Sequence, residues 1–162
     1  MSLREIDTPA LLLDLDAMER NLAKMARFFS AGPARLRPHY KNHKCPALAR
    51  RQIEAGAIGM TCATLSEAEA LVSNGITDIL ISSELAGDRK IARFIDLARQ
   101  VDIKAVVDNP KAVAALGAAG RAKGQRLGVL VNVNVGQNRT GVTPGEPVLE
   151  LARKVLAEGL WL

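Results

Sequence analysis

Both histidines of the chain and three of its cations fall within one stretch, Leu36-Arg37-Pro38-His39-Tyr40-Lys41-Asn42-His43-Lys44-Cys45-Pro46. In extended backbone alternate side chains share a face, so Arg37, His39 and Lys41 are expected on one side. Leu36, Pro38 and Tyr40 then point to the other. A row of cations repels itself and loses hydration unless solvent, carboxylates or an anionic ligand lie close by. A lysine crowded by cations gives up its proton more readily, and its neutral amine can attack a carbonyl. That chemistry is Schiff-base formation. The same residues also read as a solvated basic turn, because Lys41 and Lys44 stand close to a helix start at Pro46.

A second constellation is Val135-Gly136-Gln137-Asn138-Arg139-Thr140-Gly141. Its glycines permit a tight turn and a close backbone approach to a ligand. Taken alone, it also reads as a surface turn. Thr64 and Ser66 follow a short apolar run and could touch a ligand, although helix capping accounts for Ser66. His39 and His43 are not expected to form a metal site, since no carboxylate ligands accompany them.

Such groups need elements to position them. Apolar runs occur at Ala10–Leu15, Leu36–Tyr40, Ala57–Ala63, Asp78–Ser82, Ile103–Val107 and Leu127–Val135, and another begins at Gly159. From the second run to the sixth the spacing is about 20 to 25 residues, the size of a βα unit. Helical patterns fill the gaps. Asp16 precedes Met18, Leu22, Met25 and Phe29, which share a face. Pro46 opens a helix that Gly56 ends; Ser66 and Glu69 suggest a capping box, with Gly75 as the stop. Ile91, Phe94, Ile95 and Ala98 form the next stripe. Asn109-Pro110 and Thr143-Pro144 each read as a cap followed by a first-turn proline, the latter ahead of Val148, Leu151, Ala152 and Val155.

Strand and helix in alternation predict an α/β fold with a parallel sheet. No G-x-G-x-x-G follows the first run, and ionisable residues stand at strand ends, so a (β/α)8 barrel is favoured over an open doubly wound sheet.

Composition narrows the function. The 162 residues are 48% hydrophobic, 24% charged and 3% aromatic, with a net charge of +5. The excess of base is scattered and lacks aromatic interleaving, so no nucleic-acid surface is expected, and small anionic ligands suit the charge better. No apolar run approaches a membrane span, and the N-terminus lacks a signal pattern. Cys45 and Cys62 fit a reducing cytoplasm, although they could in principle pair.

Thr8-Pro9-Ala10, Leu13-Asp14-Leu15-Asp16, Arg37-Pro38-His39, Lys41-Asn42-His43-Lys44 and Gly136-Gln137-Asn138-Arg139-Thr140-Gly141 together resemble the D-threonine aldolase and D-serine dehydratase family, of the alanine-racemase-like fold type. The resemblance implies a pyridoxal-phosphate-dependent lyase acting on D-configured β-hydroxy amino acids. It implies that Lys41, not Lys44, carries the cofactor, and that Arg139 sits beside the cofactor ring. His39, on the expected face of Lys41, and Thr64 are further candidates for cofactor contact. An amino-acid racemase of the same fold and a non-catalytic pyridoxal-phosphate-binding protein are the alternatives. Asn42 stands where threonine is common in the family, and Asn132 and Asn134 where acidic residues are frequent.

A complete barrel takes about 250 residues. About five strands, near residues 36, 57, 78, 103 and 126, are expected here, with a sixth beginning at Leu160-Trp161-Leu162. The chain is therefore expected to be the N-terminal portion of an incomplete barrel, without the C-terminal β domain that residues 1–16 would join. The resemblance places a divalent-metal site in that absent domain. A small amino-acid substrate and a homo-oligomer complete the expectation.

Overall fold

The computed structural model describes residues 3–162, which divide into two compact units, one ending at Arg35 and one running from Leu36 to Leu162.

In the first unit a 3-10 turn at Leu3–Glu5 precedes helix α1 (Leu15–Ser30). The cap is Asp14: its carboxylate accepts the Ala17 N–H at 2.9 Å. This satisfies one of the donors that a helix start leaves unpaired. Asp16 falls in the first turn, where a negative charge suits the helix dipole. Residues 10–14 carry no regular structure, so the apolar run at Ala10–Leu15 forms no strand in this chain.

The second unit repeats strand and helix. Strands β1 (Met60–Cys62), β2 (Asp78–Ile81), β3 (Asp102–Val107) and β4 (Gly128–Val131) pair in parallel, in chain order. Segment 36–39 extends this sheet at one side, with His39 bridging Thr61 and the Thr61 N–H donating to Pro38 O at 2.8 Å. Trp161 bridges Gly128 at the other side, and the Val129 N–H donates to Trp161 O at 2.9 Å. Five strand positions and the start of a sixth thus stand side by side. An open doubly wound sheet reverses its strand order at a switch point; this sheet never does, as in a barrel wall.

Helices α2 (Pro46–Glu54), α3 (Leu65–Ser73), α4 (Asp88–Ala98), α5 (Pro110–Ala122) and α6 (Glu146–Ala157) follow successive strands. One sheet face is fully covered: Met60, Cys62, Ile79, Ile81, Ala105, Val107 and Val129 are buried with Leu71, Phe94, Val113, Leu116 and Val155 of the helices. Each such large side chain contributes about 1.5–3 kcal/mol relative to exposure.

Several local signals act as expected, including Pro46 in the first turn of α2 and the Asn109 side chain capping α5. Others shift. Thr64 caps α3, accepting the Glu67 N–H at 3.2 Å, and the Glu67 carboxylate reaches back to the Ala63 N–H at 2.7 Å. The reciprocal pair is therefore Thr64 and Glu67, while Glu69 binds Arg93. Helix α6 begins at Glu146 behind Gly145, and its first-turn proline is Pro147, not Pro144. Strand β4 ends at Val131; the Asn132 N–H still donates to Val107 O at 2.8 Å. The chain beyond then pairs with Val142 instead of β3, the Asn134 N–H donating to Val142 O and the Val142 N–H to Asn132 O, both at 2.9 Å.

The opposite sheet face carries the charge. By pleat and register it holds Arg37, His39, Thr61, Asp78, Leu80, Asp102, Lys104, Val106 and Leu130. Its ions are paired: Arg37 with Asp78, and Lys104 with Asp102, the Lys104 ammonium also lying 4.9 Å from the centre of the Trp161 ring.

Candidate functional site at the carboxyl ends of the strands

The polar residues gather where strands give way to helices. His39 ends the first extended segment, Thr64 and Glu67 follow β1, and Ser82 and Glu84 follow β2. Asp108 follows β3, and the 132–142 segment follows β4.

Lys41 does not continue the strand. A 3-10 turn at Tyr40–Asn42 intervenes, with His39 as its cap. The expected common face of Arg37, His39 and Lys41 therefore holds for the first two residues only. The link to Lys41 is a hydrogen bond instead: His39 Nδ1 accepts the Lys41 backbone N–H at 3.3 Å. His39 Nε2 lies 3.2 Å from Ser82 Oγ, and that hydroxyl donates to the Cys62 carbonyl at 3.0 Å. Burial holds the His39 pKa below its ordinary value; the Lys41 charge acts in the same direction and Glu67 opposes both.

The two lysines of the motif are in different situations. Lys44 sits in the left-handed region (φ 49°), with its Nζ 3.6 Å from Glu67 Oε1. Lys41 is exposed, and no hydrogen bond or ion pair joins its ammonium to the described residues. His43 is used structurally: its Nδ1 accepts the Cys45 N–H and its Nε2 meets Gln52 Oε1, both at 3.1 Å. Cys62 is a buried free thiol, its pKa pushed up to about 12 chiefly by burial and then by the Glu67 charge, so it is inert as a nucleophile.

Arg139 rides on an exposed loop that is held from below. Asn132 donates to Glu84 Oε1 and Thr140 Oγ1, both at 3.0 Å, and Asp108 Oδ2 accepts the Gly141 N–H at 3.1 Å. Asn134 Oδ1 receives the Gly136 and Asn138 amides, closing the turn. Gly141 has φ +96°, and a Cβ there would collide with the backbone of Val133 and Asn134, so glycine is required. The guanidinium of Arg139 is exposed and has no partner among the described residues. No bond joins it to Lys41.

Residues 13–161 match the family described as alanine racemase, N-terminal domain. The chain belongs to the alanine racemase N-terminal domain family. Within that family it is 43% identical to a D-threonine aldolase of Arthrobacter sp, over 94% of this chain and 40% of the relative. It is 39% identical to a D-threo-3-hydroxyaspartate dehydratase of Delftia sp. strain HT23, over 93% and 40%. The crystal structure of D-threonine aldolase from Filomicrobium marinum superposes with a TM-score of 0.92 at 46% identity, covering 95% of this chain and 42% of that one. The chain thus spans about 40% of the length of the curated relatives it matches. The fold expected from the resemblance is the alanine racemase N-terminal fold, here with an all-parallel sheet in chain order.

Ser82, Glu67, Glu84 and Asp108 are not singled out by the motifs. Their signal is positional: each stands at or just past the carboxyl end of a strand, where barrels place their chemistry.

Proposed function

We propose that this chain supplies the lysine-bearing part of a pyridoxal-phosphate-dependent lyase acting on D-configured β-hydroxy amino acids. The observation that supports it best is the contrast between Lys41 and Lys44. Lys41 extends from a capped turn with an uncommitted ammonium, whereas Lys44 is turned back on Glu67.

The residues present fit this cofactor. Lys41 offers an amine for its aldehyde, and the partner-free Arg139 offers donors for an oxygen of its ring. His39 holds the Lys41 backbone. Thr64 uses its oxygen as a cap acceptor for Glu67 N–H, and its hydroxyl proton can still be donated to a ligand. When bound, pyridoxal phosphate supplies an electron sink next to the amino-acid nitrogen. Lys41 Nζ, when not bonded to the cofactor, would be placed to accept a proton. Among the described residues no three His, Cys, Asp or Glu side chains form a ligand set for a metal ion, so no step is assigned to one.

The relatives include an aldolase and a dehydratase, two outcomes that differ in the bond broken next to the same carbon. In this reading residues 1–162 are the N-terminal portion of a pyridoxal-phosphate-binding barrel domain, of which residues 1–16 would join a further β domain. Self-association fits the partly exposed apolar residues Leu80, Val106 and Leu130 on the charged sheet face.

Borohydride reduction in the presence of pyridoxal phosphate, followed by peptide mapping, tests the assignment. A label on Lys41 supports it, and turnover of D-threonine against D-serine then separates aldolase from dehydratase. A label on Lys44 alone would overturn it.

A further inference from the structure

We infer that Ser82 is a positioning residue: its hydroxyl selects the His39 tautomer that holds the Lys41 turn in place. The consequence for cofactor binding rests on the reading of Lys41 given above.

The inference follows from donor and acceptor chemistry. A backbone N–H can only donate, so the 3.3 Å contact from Lys41 N requires a bare lone pair on His39 Nδ1. A neutral imidazole with a bare Nδ1 carries its proton on Nε2. That proton points at Ser82 Oγ, 3.2 Å away, which must accept it. The hydroxyl can accept because its own proton is committed elsewhere, to the Cys62 carbonyl at 3.0 Å. The chain of bonds therefore has one direction, from Nε2 through Oγ to the carbonyl. The opposite tautomer would place an N–H against the Lys41 N–H and leave Nε2 without a proton. Ser82 itself is anchored, because its backbone N–H also donates to Cys62 O at 2.9 Å.

The geometry links three strand ends. Cys62 closes β1, Ser82 follows β2, and His39 ends the segment paired to β1. Moving the register of β2 against β1 would carry the hydroxyl away from the imidazole. The sheet thereby sets the turn that presents Lys41, with no direct contact to the lysine side chain.

The test uses the full 162-residue chain and compares wild type with Ser82→Ala and Ser82→Thr. The first readouts need no cofactor: the His39 imidazole 15N pattern, and solvent exchange of the Lys41 amide. Ser82→Ala is expected to mix the two tautomers and to speed exchange of the Lys41 amide by about tenfold, the scale of one lost hydrogen bond. Ser82→Thr, which keeps a hydroxyl, is expected to restore both. Pyridoxal phosphate affinity is expected to fall by a similar factor in Ser82→Ala and to recover in Ser82→Thr. Unchanged Lys41 amide exchange in Ser82→Ala, or a threonine variant that behaves like alanine, would overturn the inference. If Lys41→Ala retains the borohydride label while the amide responses hold, the reading of Lys41 fails and the role of Ser82 in the turn stands.

Discussion

Arg37 reaches across the sheet to Asp78, with Nη1 2.9 Å from Oδ1 and Nη2 3.0 Å from Oδ2. Arg37 precedes β1 and Asp78 opens β2, so the guanidinium must pass over the backbone leading into β1. It does so at Gly59, where a Cβ would collide with Nη1 and with the Asp78 carbonyl. Nη1 aims its N–H at that carbonyl, 3.3 Å away, so Oδ1 gains charge from the pair without a hydrogen bond of its own.

Gly59→Ala is therefore expected to destabilise the chain by about 1–3 kcal/mol, the usual cost of forcing atoms into filled space. Urea denaturation measures it. An unchanged midpoint would show that Arg37 does not pass over this glycine.

Asp78→Ala leaves the Arg37 guanidinium, only 19% exposed, without its counter-charge. The expected loss is about 2–3 kcal/mol, somewhat below that of a fully buried pair because Asp78 is itself 34% exposed. The double variant Arg37→Leu with Asp78→Ala is expected to regain part of it, since no stranded charge remains. A double variant weaker than the single one would argue against this account.

Stability should fall on acidification through His39. Its pKa is lowered in the folded chain by burial, and then by Lys41, with Glu67 opposing. The unfolded chain, with an imidazole pKa of about 6.5, binds the proton first. The neutral-imidazole contribution is fully present above that value and is lost as pH falls below it. Protonation also removes the acceptor for the Lys41 amide. Thermal melts at pH 7.5 and 5.5 should show a smaller difference in His39→Gln than in wild type; an equal difference would place the titration elsewhere.

Lys44→Gly should raise the thermal midpoint slightly, because glycine adopts φ 49° without the penalty that a side chain carries there. The ion pair lost with Glu67 is worth under about 1 kcal/mol at an ammonium 68% exposed. The same variant should keep its borohydride label, whereas Lys41→Ala should lose it.

Much of this protein is legible in one dimension. The period of apolar runs located every strand of the sheet, because alternation of short runs and amphipathic stretches is a local property. Prolines and glycines such as Pro46, Gly56 and Gly75 marked helix ends for the same reason. The resemblance carried by the motifs named the family, and it is the ground on which Lys41 and Arg139 are proposed as site residues. Boundaries depended on competition between neighbours that types alone do not rank. Thr64 displaced Ser66 as a cap because the Glu67 carboxylate could reach back to Ala63. At α6 the start lies past Thr143-Pro144: Gly145 precedes the helix without a side-chain cap bond, and Pro147 takes the first turn.

Only the tertiary structure decided how the site is held. Strand parity ran through Lys41 on paper, but the 3-10 turn after His39 broke it, and a hydrogen bond took the place of a shared face. Ser82 lies 43 residues from His39 in sequence, and Glu84 lies 48 from Asn132. Such pairs are set by the register of parallel strands and the curvature of the sheet. Sequence determined which groups are present at each strand end; packing determined which of them meet.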